Sequence, residues 1–432
     1  MYHAYLLVAL LLAARQNTKA TISNGANQHL FLELCETYNW AENGIEALLQ
    51  TAEGTNAFDD ILKINMSLSS STWRKHFKKA DNEDKYHETP TSEHKGDTMA
   101  TDLWTHWVEI VKQMKTDDQV TAAQKDASLH DVTSGTRTAA TALINKLSLK
   151  AYLVNKQLAA LPDKPATDAV KEAENKIRAA VYGATSKPGG GGLKPTNLAT
   201  PGPNNRRTLC TAATAADSKF HLAWIGICLC TRGGDTTGSA VAEPCRHLTG
   251  TGTAWPTSDP AVLTAYNNLL KQCKTTTKAK VSAAVIEAKY EKLRNSFNFQ
   301  TAKGVLGAYI TTGCNGEDNG GVCVEYTDVT DASSEKVESI LWLAQLKAAA
   351  DSLLKAERYS AAAKPLLRSL EIIKHEVMMA HRIADPQQTT HTDSVNTSSG
   401  NHKSEEDGKC HQHSKSKSTC ENTSKCKWEG KT

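Results

Sequence analysis

Aromatic side chains and long apolar runs are both scarce in this sequence. Phe, Trp and Tyr make up 6% of its 432 residues and the hydrophobic types 39%. That is low for the thick core of a large α/β enzyme and suits thin helices packed through alanine. An excess of one charge is also missing, because 50 Lys and Arg face 47 Asp and Glu, a formal net charge of +3. No basic cluster precedes His402, so the sequence argues against nucleic acid as a partner. Past Ala20 no apolar stretch approaches the roughly 20 residues that span a bilayer. Nor is the cysteine count even: there are 11, where a fully paired secreted chain holds an even set.

What is present begins with a secretory signal peptide, Met1 to Ala20. Ala4 to Ala14 is an apolar run of 11 residues, followed by a polar stretch and the small Ala20 at the expected cleavage position. The run is too short for a membrane helix. Secretion implies an oxidising compartment, where cysteines pair by default. The residues up to Thr432 are rich in Lys, Ser and His. They lack the small residues, spacer and hydrophobic tail that direct a glycolipid anchor.

Three heptad-like stripes predict long helices. They run Leu34, Tyr38, Ala41, Ile45, Leu48 and Ala52; then Ile144, Leu147, Ala151, Val154, Leu158 and Leu161, stopped by Pro162; then Leu366, Leu370, Ile373, Val377, Ala380 and Ala384, stopped by Pro386. Steps of three and four place each set on one helix face, in the pattern of a coiled-coil seam. Shorter stripes occur at Trp104, Val108 and Val111, and at Val337, Ile340, Leu341, Ala344 and Ala348. The expected fold class is mainly α, an elongated antiparallel coiled-coil helical bundle with helices of about 40 to 50 residues, or roughly 60 to 75 Å.

Between the helices the composition changes. Ser186 to Asn205 carries four consecutive glycines and four prolines, an irregular connection. Cys210 to Cys323 then holds seven cysteines among many Gly and Thr, with helical period only near Lys278 to Arg294. This reads as an inserted lobe, rich in loops and stapled by disulfides. The expected organisation is a signal peptide at 1–20, a helical-bundle domain at 21–384 with its lobe at about 186–333, a linker at 385–409 and a small cysteine-rich segment at 410–432. The disulfide candidates divide accordingly. Cys35, Cys210, Cys228, Cys230, Cys245, Cys273, Cys314 and Cys323 form an even set, and eight cysteines allow 105 pairings. Cys410, Cys420 and Cys426 are left as an odd set in the tail.

A search for chemistry returns no catalytic, cofactor-binding or metal residue. His375-Glu376 resembles the start of a zinc-protease helix, but His381 is six positions on. Six residues leave two imidazoles some 120° apart around a helix. Gly189 to Lys194 lacks the phosphate-loop spacing, Gly250-Thr251-Gly252 lacks its third glycine, and no G-x-S-x-G elbow occurs. In the tail, Cys410-His411-Gln412-His413 with Cys420 and Cys426 matches no common zinc finger. Cys228-Leu229-Cys230 is not a redox C-x-x-C pair, and residues so close are expected to join two different strands. Cys314 and Cys323 enclose a turn-rich segment that a local disulfide would close. Its Glu317 and Asp318 are expected to be solvated rather than to hold calcium. Sequons at Asn65, Asn396 and Asn422 are the candidates for N-glycosylation.

Four features resemble the variant surface glycoproteins of African trypanosomes, with a class B-like N-terminal domain. They are Leu30-Phe31-Leu32-Glu33-Leu34-Cys35 close to the mature N-terminus; Ile64 to Ser69 followed by Trp73; Ile227-Cys228-Leu229-Cys230 ahead of Cys245 and Trp255; and Cys420 to Cys426-Lys427-Trp428. The resemblance implies a non-catalytic surface-coat antigen that takes part in antigenic variation and evasion of host antibodies. It implies a homo-oligomer, dimer or trimer, and cell-surface attachment through a GPI anchor whose signal is absent from this chain. O-linked sugar on Thr236, Thr237 or Ser239, or on Thr311 or Thr312, belongs to the same expectation. The family pattern continues past the C-K-W element to a further cysteine, so the chain reads as truncated or incomplete. The alternative is a receptor for a host serum ligand on a similar scaffold.

Overall fold

A computed structural model describes residues 21–49, 56–80, 82–94, 96–164, 168–189, 192–194, 198–216, 220–233, 239–246, 252–273, 277–300, 302–311, 313–331 and 335–384. In chain order the elements are α1 (Gln28–Asn43), β1 (Ile45–Ala47), α2 (Ala57–Ser67), α3 (Ser71–Lys75), β2 (Lys78–Lys79), β3 (Asn82–Tyr86), α4 (Thr98–Gln113), α5 (Asp117–Asp126) and α6 (Ser134–Ala159). They continue with α7 (Ala169–Tyr182), α8 (Arg206–Cys210), α9 (Leu222–Cys230), α10 (Asp259–Leu270), β4 (Ala279–Val281) and α11 (Ala283–Arg294). β5 (Phe297–Gln300), β6 (Lys303–Tyr309), β7 (Gly321–Tyr326), α12 (Glu335–Glu338), α13 (Leu341–Met378) and α14 (Ala380–Ile383) complete the order. The protein is mainly helical.

The chain forms two compact units: one of residues up to Ile61 together with Ser148–His375, the other of Leu62–Leu147 together with the residues from Glu376. In the first unit α1 buries Leu30, Phe31, Leu34, Tyr38 and Ala41. The helix stops at Gly44, short of the stripe expected to run to Ala52. Gly44 has φ 77° and donates its N–H to the Trp40 carbonyl, a left-handed turn that suits glycine. Ile45 to Ala47 then pairs in parallel with Ala279 to Val281, and Leu48 is 55% exposed. The helical period thus ends where a non-local strand partner takes over.

The stripe at 144–161 lies on α6 as far as Leu158, with Ile144, Leu147 and Ala151 buried, and Leu161 falls just beyond the helix. The stripes at 337–348 and 366–384 largely share α13, the longest described helix at 38 residues. That is about 57 Å at 1.5 Å per residue, just under the expected range. Pro365 sits inside it. Trp342 at its start stacks on Phe297, ring centroids 6.3 Å apart, and donates to the Tyr326 hydroxyl at 2.8 Å.

The expected loop-rich lobe is more regular than its composition suggests. It contains α9, α10 and α11, and an antiparallel sheet in the order β5-β6-β7. Every residue of α9 is buried. Tyr38 donates to the Leu222 carbonyl at 2.8 Å. A Cβ on Gly226 would lie 2.2 Å from the Tyr38 hydroxyl oxygen, so only glycine admits α1 this closely. Asn27, just before α1, donates to the carbonyls of Leu229 and Val322 and accepts from Ala308 N–H. One buried amide therefore ties α1 to both α9 and the sheet.

The second unit depends on caps and rings. Asp97 accepts from Met99 and Ala100 N–H at the start of α4. Thr116 and Gln119 form a reciprocal capping box on α5. Arg137 on α6 donates to the Gln124 side chain and to the carbonyls of Leu129 and His130. Trp73, Phe77, Trp104 and Trp107 make edge-on or tilted contacts with centroids 4.7 to 6.1 Å apart.

Candidate functional site

The disulfide-laced lobe of the first unit is the leading candidate, and α9 organises it. Residues two apart on a helix point about 200° apart. Cys228 and Cys230 accordingly bond in different directions, to Cys210 at the end of α8 and to Cys245. The sequence leads one to expect that the two would join different strands; their partners are indeed different, but Cys210 ends a helix. A nine-residue apolar run has no period to separate strand from helix, and the pair is helical. Cys35 on α1 joins Cys273 after α10, closing 238 residues, while Cys314 joins Cys323 across nine.

Buried polar groups brace the lobe between these bonds. Arg206 is fully buried. Its guanidinium donates to the carbonyls of Thr231, Gly233 and Cys228 and lies 5.2 Å from the Trp255 ring. It thereby binds the carbonyl end of α9, where cations are favoured. Glu317 departs from the solvated role expected of it. It is 4% exposed, and its carboxylate accepts from Asn315 Nδ2 at 2.7 Å. Asn315 Oδ1 in turn accepts from the N–H groups of Glu317 and Gly321. A Cβ on Gly320 would meet that oxygen at 2.1 Å. Glu325 on β7 is 2% exposed and paired with Lys303 at 2.8 Å. The hydrogen bond to Glu325 pushes the Lys303 pKa upward.

His221 caps α9, its Nδ1 facing the Trp224 N–H at 3.5 Å. Burial pushes its pKa down to about 4, against a backbone hydrogen bond with Val181 that works the other way. The ring is therefore neutral at pH 7. Burial likewise raises Tyr38 and Tyr182, and the Tyr182 hydroxyl donates to Glu42 at 2.7 Å. These groups serve the fold.

One constellation in the second unit escaped the sequence reading. His76, Glu93 and His94 each offer a ligand atom, all within 4.8 Å of one another. His76 follows α3, and the other two lie in the 3-10 turn Ser92–His94. The β2–β3 hairpin, with Lys78 opposite Tyr86, lies between these positions in the chain. No short motif announces the cluster. Its one local signal is the repeated placing of His beside Trp and Phe between residues 73 and 107.

The comparisons with known proteins point to one family. A family model described as the trypanosomal VSG domain matches residues 8–371. The chain belongs to this family. The variant surface glycoprotein ILTAT 1.23 of Trypanosoma brucei brucei is 27% identical over 448 aligned residues, covering 98% of this chain and 80% of that protein. Membership in the VSG family makes this a trypanosome cell-surface coat protein. The same family membership points to a structural rather than enzymatic role.

Other candidate positions fall unevenly in this VSG. Asn65 lies within α2, half-buried, with its Nδ2 donating to Asn145 Oδ1 at 2.6 Å. The atom a glycan would occupy is thus engaged by the fold. Thr311 is exposed, its hydroxyl donating to the Asn319 carbonyl. Ser239 is exposed as well. The signal peptide, Thr236, Thr237, Thr312, Asn396, Asn422, Cys410, Cys420 and Cys426 lie outside the described residues.

Proposed function

We propose that this protein is a non-catalytic coat antigen whose stapled lobe is shown to host antibodies and varies through its loops. The carrying observation is the contrast within that lobe. α9 is buried at every position and bonded through both of its cysteines, while Arg232, Ser239, Ala240, Thr311 and Asn319 around it are exposed. Substitutions in exposed loops cost little when the backbone beneath is fixed by disulfides and buried hydrogen bonds. The proposal keeps the expected organisation of a bundle domain at 21–384 with its lobe at about 186–333, a linker at 385–409 and a small cysteine-rich segment at 410–432, the last two of which lie outside the described residues.

Homo-oligomerisation, as dimer or trimer, is part of the proposal. Leu149 and Leu153, one helical turn apart on α6, are 46% and 52% exposed, and Ile372 on α13 is 51% exposed. Attachment to the membrane through a glycolipid completes the picture, and among the described residues no helix is long and apolar enough to cross a membrane. The test is expression of the full gene in bloodstream-form trypanosomes. Dense surface labelling, release by a phosphatidylinositol-specific phospholipase, and antibodies that fail on loop variants at Arg232 or Thr311 are expected. Saturable binding of a host serum protein by the purified protein would instead favour a receptor.

A further inference from the structure

We propose that His76, Glu93 and His94 form a zinc site that pins the 3-10 turn Ser92–His94 to the end of α3. The first argument is the donor set. Two imidazoles and one carboxylate with an open fourth position suit Zn2+, which takes nitrogen ligands at 2.0–2.1 Å and carboxylate oxygen at about 2.0–2.2 Å. Those bond lengths set the edge of a tetrahedron at about 3.4 Å. His76 Nδ1 and Glu93 Oε2 are 3.4 Å apart, already one such edge. The His94 ligand atom lies within 4.8 Å of both, so a side-chain movement on the order of 1 Å completes the face.

The second argument is independent of spacing. His94 Nε2 is buried and has no hydrogen-bond partner, a state that costs free energy unless something occupies it. The ring is held by Trp73 and Trp104, with centroids 5.2 and 5.9 Å away. It is therefore oriented before any ion arrives, as a ligand must be to bind tightly. His76 and Glu93 line an open depression that also includes Lys75, Lys78 and His87. The cationic Lys75 and Lys78 weigh against Ca2+ or Mg2+, which carboxylates hold chiefly by charge. They bear less on Zn2+, whose affinity rests on nitrogen coordination. An ion there would bind the folded chain and not the unfolded one, so its binding free energy would stabilise the closure between His76 and Glu93.

The proposal does not rest on the coat reading, because it concerns only residues of the second unit. Its test uses the full purified chain, stripped with chelator and titrated with Zn2+ by calorimetry and with Co2+ by visible absorption. Tetrahedral cobalt bands and one saturable Zn2+ equivalent are expected. His76→Ala should abolish that equivalent, and Glu93→Gln should weaken it by more than about tenfold. Side chains of His76 and Glu93 are 36% and 68% exposed, so both variants should keep the native circular dichroism spectrum. A His411→Ala/His413→Ala variant should retain the equivalent, separating this site from the tail. Undiminished Zn2+ binding in the His76→Ala/Glu93→Gln double variant would overturn the assignment, as would failure of the unaltered chain to bind micromolar Zn2+ or a preference for Ca2+.

Discussion

The two units secure thin cores by different means. All four described disulfides lie in the first unit, and the sequence holds no cysteine between Cys35 and Cys210. Residues 62–147 therefore stand without a covalent tie. They rely on a ring cluster, capped helices and the Arg137 fork instead. Disulfides act mainly by restricting the unfolded chain, whereas packed rings act through burial in the folded one. The first device tolerates change in the loops it brackets. The second tolerates little change in the residues that compose it. A lobe meant to vary is better served by the former.

The sharpest way to break this comparison is to remove the longest staple. Replacing Cys35 and Cys273 together by Ser opens a 238-residue closure, a loss of about 5 kcal/mol in the chain-entropy account. Hydrogen exchange followed by mass spectrometry should show faster exchange across α1 and α10, with α4 and α5 unchanged. Equal loosening of α4 and α5 would show that the second unit also leans on the bond. The converse change is Trp104→Ala. Trp104 is 1% exposed, and its Nε1 donates to the His87 carbonyl at 2.7 Å. A cost of about 4 kcal/mol is expected, read as lost protection in α4 and in α3. Under reducing agent this variant and the unaltered chain should differ by the same amount, because no disulfide compensates there.

The same contrast explains what the sequence disclosed. α6 and α13 carry sustained stripes, with Pro162 beyond the first, so local period alone marks them. The stripe from Leu34 overshot because Gly44 stops the helix, a local signal that the apolar period outweighed, and because the parallel partner at Ala279–Val281 that takes over is not local. β7 is buried at all six positions, so the alternation that betrays a half-exposed strand is absent. Gly304 and Gly307 dilute β6 in the same way. Glu317 and Glu325 sit in polar-looking stretches, yet Asn315 and Lys303 satisfy them in the interior, and pairing of that kind has no one-dimensional signature. The His76 cluster is hidden for the same reason: the β2–β3 hairpin lies between its members in the chain, and no sequence spacing marks it.

A smaller effect distinguishes the units by acid. His221 has a folded pKa of about 4, below the unfolded value of about 6.5, so the unfolded state takes up a proton first as the pH falls. Its contribution is complete above about pH 6.5. It declines through the window down to about 4, reaching a deficit of about 2 kcal/mol near pH 5 and about 3 kcal/mol below the folded pKa. Glu33 acts in the same direction at lower pH. Burial would raise its pKa, but Lys289 and Lys292 hold it below the usual carboxylate value. His221→Gln isolates the imidazole, because glutamine can still accept the Trp224 N–H but cannot charge. Urea denaturation of the two proteins should therefore converge between pH 7 and pH 5, with the variant the weaker at neutral pH and less sensitive to acid. Since His221 caps a helix that carries two of the disulfides, the loss should appear as exchange in α9 rather than as release of the lobe. Parallel pH profiles for the two proteins would mean that the acid response comes from the carboxylates alone.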